Sequence, residues 1–230
     1  MINNKLMPAK NVIKEYVKDG IYHVYNRGIN KQNIFLDGRD YATFLFYLKL
    51  YLQDPEKLKD IDPQKRKSLV RKNFFGNIEL LCYCLMPNHF HLLIKQKGER
   101  DIAEFMKSLG TNYSMYFNDR HDRIGTLFQG PYKAILVKND SYLLHLSRYI
   151  HKNPEDLIKG ENLDKLFEYE WSSYTDYLGK KETKWVKPRF ILDYFDQNKD
   201  NSMIGSDSYQ KFVEEYIHDT EKILEGITLE

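Results

Sequence analysis

The sequence predicts an α+β fold: a four-stranded antiparallel sheet with two helices on one face and a third helix added nearby. Three observations predict it. Short runs rich in β-branched and aromatic residues recur four times, apolar residues recur at helical spacing in three longer stretches, and the order is strand, helix, strand, strand, helix, strand, helix.

Residues 21–28, IYHVYNRG, alternate apolar and polar and run into a loop at Asn-Arg-Gly. After a connecting segment, YATFLFYLKLYL from Tyr41 to about Leu52 sets Phe44, Tyr47, Leu48 and Tyr51 on one helical face. The stretch from Pro55 to Asn73 is a basic loop or short helix containing Lys65, Arg66, Lys67, Arg71 and Lys72. Two adjacent strands follow, 77–85 and 90–95, separated by a Met-Pro-Asn turn whose proline cannot continue a strand ladder. From Asp101 to about Asn118, Ile102, Phe105, Met106, Leu109, Tyr113 and Phe117 mark a second helix, with Gly110 as the place for a kink. YKAILV, 132–137, is the fourth strand. Asn139-Asp140-Ser141 caps a third helix that stops near Asn153, because Pro154 restricts the residue before it. EYEWSSYTDYLG then reads as an irregular packed segment, and the remainder as an acidic helical tail.

At 230 residues and 42% hydrophobic content the chain is long enough for one domain with a substantial core, or for one domain plus an appendage, and wholesale disorder is excluded. No run approaches about 18 consecutive apolar residues and the N-terminus lacks a signal-like apolar core, so the expectation is a cytoplasmic chain without a membrane span. The two cysteines, Cys82 and Cys84, share one face of an extended strand at a spacing poorly suited to a disulfide, which fits a reduced compartment. The net charge of +2 hides an asymmetry: residues 192–230 hold ten acids against three bases, a net of −7, leaving the first 191 residues at +9. A basic body rich in aromatic rings suits a polyanion, since cations neutralise phosphates and rings stack on bases; a solvated mixed-charge surface accounts for the same composition.

His89 and His91 flank Phe90 at the start of the third strand, where alternation sends both imidazoles to one face. Two neutral imidazoles so placed can share a divalent cation, or can be satisfied structural groups. In the third helix Leu143, Leu146 and Ile150 form the apolar stripe, and Tyr149 and Asn153, four apart, point together beside it. The Asn153 carbonyl is a third ligand suited to a hard cation such as Mg²⁺ or Mn²⁺; its plain alternative is a helix-end residue before proline.

These residues resemble the HUH endonucleases, and among them the single-tyrosine transposases, most closely the REP-associated tyrosine transposases. The resemblance rests on YHVYNRG at 22–28, LMPNHFHLLI at 85–94, LFQGPYKAILV at 127–137, RYIHKNP at 148–154 and WSSY at 171–174, in series over most of residues 21–174. It implies a ferredoxin-like βαββαβ sheet with an added catalytic helix and a C-terminal helical extension. It implies His89 and His91 as the metal-binding pair, Asn153 as the remaining metal ligand and Tyr149 as the nucleophile. The implied activity is that of a metal-dependent single-stranded DNA endonuclease and strand transferase, acting through a 5′-phosphotyrosine on hairpin-containing repeat DNA. Monomers and homodimers are both expected among such proteins.

Tyr142, seven residues before Tyr149 on the same face, is the internal competitor for nucleophile. His23 is undecided between sheet packing and the metal's surroundings. DNA contacts are expected from Asn26, Arg27, Lys133 and the cluster Lys65, Arg66, Lys67, with Arg148 and Lys152, which flank Tyr149 in sequence, touching phosphate. Two rival readings remain: a non-catalytic hairpin-binding regulator, and a zinc metallohydrolase using His89, His91 and the cysteines. The domain reading is a transposase unit at 1–180, with its core at 21–154, and an acidic extension at 181–230.

Overall fold

The structure is a computed structural model that describes residues 15–59, 61–64, 72–158, 163–196 and 205–214. Its elements are β1 (Ile21–Arg27), α1 (Gly38–Leu52), β2 (Ile78–Met86), β3 (His89–Gln96), α2 (Asp101–Arg120), β4 (Lys133–Leu136), α3 (Asp140–Lys152), the short α4 (Tyr174–Tyr177), α5 (Arg189–Asp196) and α6 (Gly205–Glu214). The strands form one sheet in the order β2-β3-β1-β4, with every pairing antiparallel. This is the ferredoxin-like arrangement.

Element ends follow from local chemistry. α1 begins three residues before the apolar pattern does, because the Asp37 carboxylate accepts from the backbone N–H groups of Arg39 and Asp40 and so starts the helix at Gly38. α2 runs through Gly110 as one helix to Arg120, so the expected kink does not form; the neighbouring Leu109 and Tyr113 are anchored in the core on either side. Asn139 caps α3 by accepting from the Tyr142 N–H at 2.8 Å.

The sheet is covered on both faces. α1 and α2 pack on one, where Phe44, Leu48, Phe105 and Leu109 meet Val24, Phe90, Leu92 and Ile94. α3 lies on the other, burying Leu143, Leu146 and Ile150 against Cys82, Cys84 and Leu93. At about 1.5–3 kcal/mol per fully buried aliphatic side chain, this stripe is what seats α3. α5 and α6 share that second core through Ile191, Leu192, Tyr209 and Val213, so these pieces of the acidic extension pack with the tyrosine-bearing helix.

A β-bulge between Leu80 and Cys82 sets which residues of β2 face α3. Ile78 and Leu80 face the α1 side before it, and Tyr83 and Leu85 after it. The inserted residue shifts the two-residue alternation by one, so Cys82, Cys84 and Met86 share the face of His91.

Candidate metal and tyrosine site

The register of the sheet builds the site row by row. On the α3 face, Met86, His89 and Arg27 lie side by side across β2, β3 and β1; the next row is Cys84, His91, Tyr25 and Lys133; His23 stands one row further, paired with Leu93 and Ile135. Phe90 points the other way, into the first core. His89 and His91 therefore share a face, as the alternation predicts, and their ring centroids are 4.9 Å apart.

α3 brings Tyr149 and Asn153 to the same place. The Tyr149 ring stands edge-on to His91 at 5.5 Å and to His23 at 6.3 Å. One turn on, Asn153 Oδ1 lies 2.9 Å from His89 Nε2. The helix face that carries the phenol and the amide thus meets the histidine strand. Tyr142 sits two turns back, roughly 10 Å along the axis. It is half-buried, and burial followed by the nearby Tyr25 pushes its phenol up to about 12.

Burial holds all three imidazoles neutral. It takes His89 down to about 4 against the opposing contact with Asn153, with Arg27 adding to the fall. It takes His23 to about 3 with His89 contributing, and lowers His91 well below the usual range, with His89 and His23 contributing. Neutral imidazoles are the form that ligates a metal.

The proton inventory then shows what these atoms lack. Asn88 donates from Nδ2 to the Lys31 carbonyl at 3.3 Å, which turns its Oδ1 to His89 Nδ1 at 2.6 Å. His89 therefore carries its one proton on Nδ1, and its Nε2 lone pair meets the Asn153 carbonyl oxygen, a second lone pair. His91 Nε2 is buried and has no hydrogen-bond partner among the described residues. Two electron-pair donors facing each other with no proton between them, and the unpartnered His91 Nε2 beside them, fit a divalent cation, and the mix of two imidazoles and a carboxamide oxygen suits Mg²⁺ or Mn²⁺. Among the described residues no group of three or more His, Cys, Asp or Glu comes together to hold a metal. The third donor here is an amide. Cys82 and Cys84 are fully buried, and burial raises both thiols, which opposes the thiolate that zinc requires.

The expected DNA contacts divide. Both Asn26 and Arg27 are half-exposed at the end of β1: Arg27 pairs with His89 and donates from Nε to Gln129 Oε1 at 3.0 Å, whereas Asn26 pairs with Phe90, alternates to the other face and donates to the Gly130 carbonyl at 3.1 Å. Lys133 reaches over the Tyr25 ring, its ammonium 5.7 Å from the centroid, in the row of His91. Lys152 is half-buried and pairs with Glu155 at 3.3 Å. Arg148 is a correction: it is only 3% exposed, with its guanidinium over the Phe212 ring of α6 at 5.5 Å, because that helix covers its side of α3. It is therefore no surface phosphate contact. Lys65, Arg66 and Lys67 lie outside the described residues.

Two contributors escaped the sequence reading. Asn88 stood only for a turn residue, although its place next to His89 is the signal that could have marked it as a partner. His151 was unassigned; it is buried, accepts or donates to Ser173 Oγ at 2.9 Å and to Tyr209 OH at 2.8 Å, and ties α3 to the Trp-Ser-Ser-Tyr segment and to α6.

Residues 60–153 match the family described as IS200-like transposases. Among solved structures, that of a REP-associated tyrosine transposase bound to a REP hairpin superposes with a TM-score of 0.52 at 13% identity, covering 76% of this chain and 96% of that one. At that identity the likeness is one of fold. A second structure, named provisionally as a transposase from Deinococcus radiodurans R1, has a TM-score of 0.35 and 18% identity over 61% of this chain and 95% of that one, and carries no argument. No protein of curated function matches the chain. No helix among the described residues is long and apolar enough to cross a membrane.

Proposed function

We propose that this transposase-like chain, with its IS200-like match at residues 60–153, is a metal-dependent endonuclease and strand transferase that cuts single-stranded DNA through Tyr149. The observation that carries the reading is the single-helix pairing: Tyr149 edge-on to His91, and Asn153 one turn later against His89. His89, His91 and Asn153 would hold the cation. When bound, a divalent cation neutralises a phosphate oxygen and makes phosphorus more electrophilic. Tyr149 supplies the nucleophile: its phenolic oxygen forms a bond to phosphorus as the bond from phosphorus to the 3′ oxygen breaks, the phenol gives up its proton and the departing oxygen takes one. The product is a 5′-phosphotyrosine and a free 3′ hydroxyl. The ester keeps the bond energy, so the reversal onto a second 3′ end needs no nucleotide cofactor.

Arg27 on β1, in the row of His89, and Lys133 on β4, in the row of His91, border the site and would lead a DNA backbone past Tyr149, with Asn26 beside Arg27 at the end of the strand. The fold relative is described as bound to a hairpin; we extend a hairpin-bearing single strand to this chain as substrate. Incubating the full chain with hairpin oligonucleotides taken from repeats flanking its own gene, in Mn²⁺ or in EDTA, tests the reading. A denaturation-resistant protein–DNA adduct that requires the metal is expected. Tight binding without an adduct under any divalent metal would overturn the enzyme reading in favour of a hairpin-binding regulator.

A further inference from the structure

His23 is a fully buried imidazole on the central strand, one row beyond the metal pair, and the proposed chemistry gives it no task. Its Nε2 lies 2.8 Å from His91 Nδ1, and the two rings are nearly parallel, at 18° with centroids 5.0 Å apart. Two proton registers are open to this pair. In one, His91 donates from Nδ1 to His23 Nε2 and presents a bare lone pair at Nε2. In the other, His23 donates, His91 carries its proton on Nε2, and that nitrogen is closed to a cation.

Only the first register agrees with the neighbouring histidine. His89 is held with its proton on Nδ1 by Asn88, so its Nε2 is bare toward Asn153. The same state in His91 places both Nε2 atoms on the tyrosine-bearing side with lone pairs free; of this pair, His91 Nε2 and His23 Nδ1 are the buried nitrogens without a hydrogen-bond partner among the described residues, and His23 Nδ1 carries its proton in this register.

We infer that His23 is a positioning residue: by accepting from His91 Nδ1–H it sets the tautomer and the ring angle that let His91 Nε2 ligate the cation. His23 does for His91 what Asn88 does for His89, and outer partners of this kind strengthen a ligand by fixing its orientation. The β1–β3 register that pairs Tyr25 with His91 and His23 with Leu93 holds the two rings in reach, and the Tyr25 ring packs against both, 4.7 Å from that of His23 and 5.8 Å from that of His91. The inference rests on the proposed metal site.

The test reads Mn²⁺ affinity of the full chain by the loss of the free-ion electron paramagnetic resonance signal, without DNA. His23→Leu removes the acceptor and is expected to weaken Mn²⁺ binding by about 10–100-fold. His23→Gln places a carbonyl oxygen near the position of Nε2 and is expected to stay within about threefold of wild type. Equal affinity in wild type and His23→Leu overturns the inference alone. A Gln variant as weak as the Leu variant also overturns it, by showing that the imidazole itself is needed. Wild type that binds no Mn²⁺ overturns the metal site and the inference together. Should His23→Leu fail to fold, ¹⁵N imidazole spectra of the Mg²⁺-saturated wild type decide: His23 protonated on Nδ1 is expected, and protonation on Nε2 refutes the assignment.

Discussion

Replacing Tyr209 with Phe removes one oxygen from the centre of a buried polar chain whose direction can be traced. The Tyr83 N–H donates to Ser173 Oγ at 2.8 Å, and Ser173 Oγ lies 2.9 Å from His151 Nε2. His151 Nδ1 lies 2.8 Å from Tyr209 OH, which donates to Ser147 Oγ at 3.1 Å, and Ser147 donates to the Leu144 carbonyl at 2.7 Å. Since the Tyr209 proton goes to Ser147, the His151 proton sits on Nδ1, and the Ser173 hydroxyl, 3.2 Å from the Tyr83 carbonyl, turns its proton to the nearer His151 Nε2. In Tyr209→Phe the ring still fills its place, but the His151 N–H is buried without an acceptor. An orphaned buried donor costs about 1–3 kcal/mol, which for a domain of this size is a fall in Tm of roughly 2–12 °C. His151 lies two residues beyond Tyr149, so α3 should also hold the phenol less firmly and adduct formation should slow. Thermal unfolding followed by circular dichroism at neutral pH measures the first effect. In His151→Leu the orphan is gone, so adding Tyr209→Phe should cost much less than it does in wild type. A Tm unchanged within about 1 °C, or strictly additive costs, would refute the traced chain.

Three further outcomes follow from the same structure. Gly28→Ala should lower both Tm and adduct yield, because a Cβ there would stand 2.1 Å from the Gln32 carbonyl oxygen, and Gly28 also donates to the Asn88 carbonyl at 2.8 Å next to His89; wild-type values for both would contradict it. Stability of the metal-free protein should fall as pH drops from 7 to 5. His23 and His151 have folded values near 3, below the unfolded value near 6.5, so the unfolded chain binds more protons in that window, and each histidine contributes up to about 2 kcal/mol of the loss; a flat profile in urea unfolding from pH 7 to 5 would count against their burial as neutral groups. Lys133→Ala should make single-strand binding less salt-dependent, lowering the slope of log K against log salt by about 0.7 if the lysine meets one phosphate; an unchanged slope in fluorescence anisotropy would remove it from the interface.

Much of this was legible because it depends on short-range pattern. The two-residue alternation around Phe90 put His89 and His91 on one face, and the four-residue spacing put Tyr149 beside Asn153; the structure brings both pairs together. What escaped depends on contacts remote in sequence. Arg148 reads as a basic neighbour of the tyrosine, and only the packing of α6, some sixty residues on, turns it into a buried group under Phe212. The proton on His91 is set by His23, 68 residues away, through a strand register that no local pattern reveals. The bulge in β2, which turns Cys82 and Cys84 toward the α3 face, left no turn residue or glycine in IELLCYCLM to announce it.

In the proposed reaction the phenol facing His91 is the one that takes the DNA. Digesting the adduct formed on a hairpin oligonucleotide with Mn²⁺ and sequencing the DNA-bearing peptide by mass spectrometry tests it most directly. The nucleotide is expected on Tyr149, with no adduct in Tyr149→Phe although that variant still binds the oligonucleotide. A nucleotide on Tyr142, or an adduct that persists in Tyr149→Phe, would contradict it.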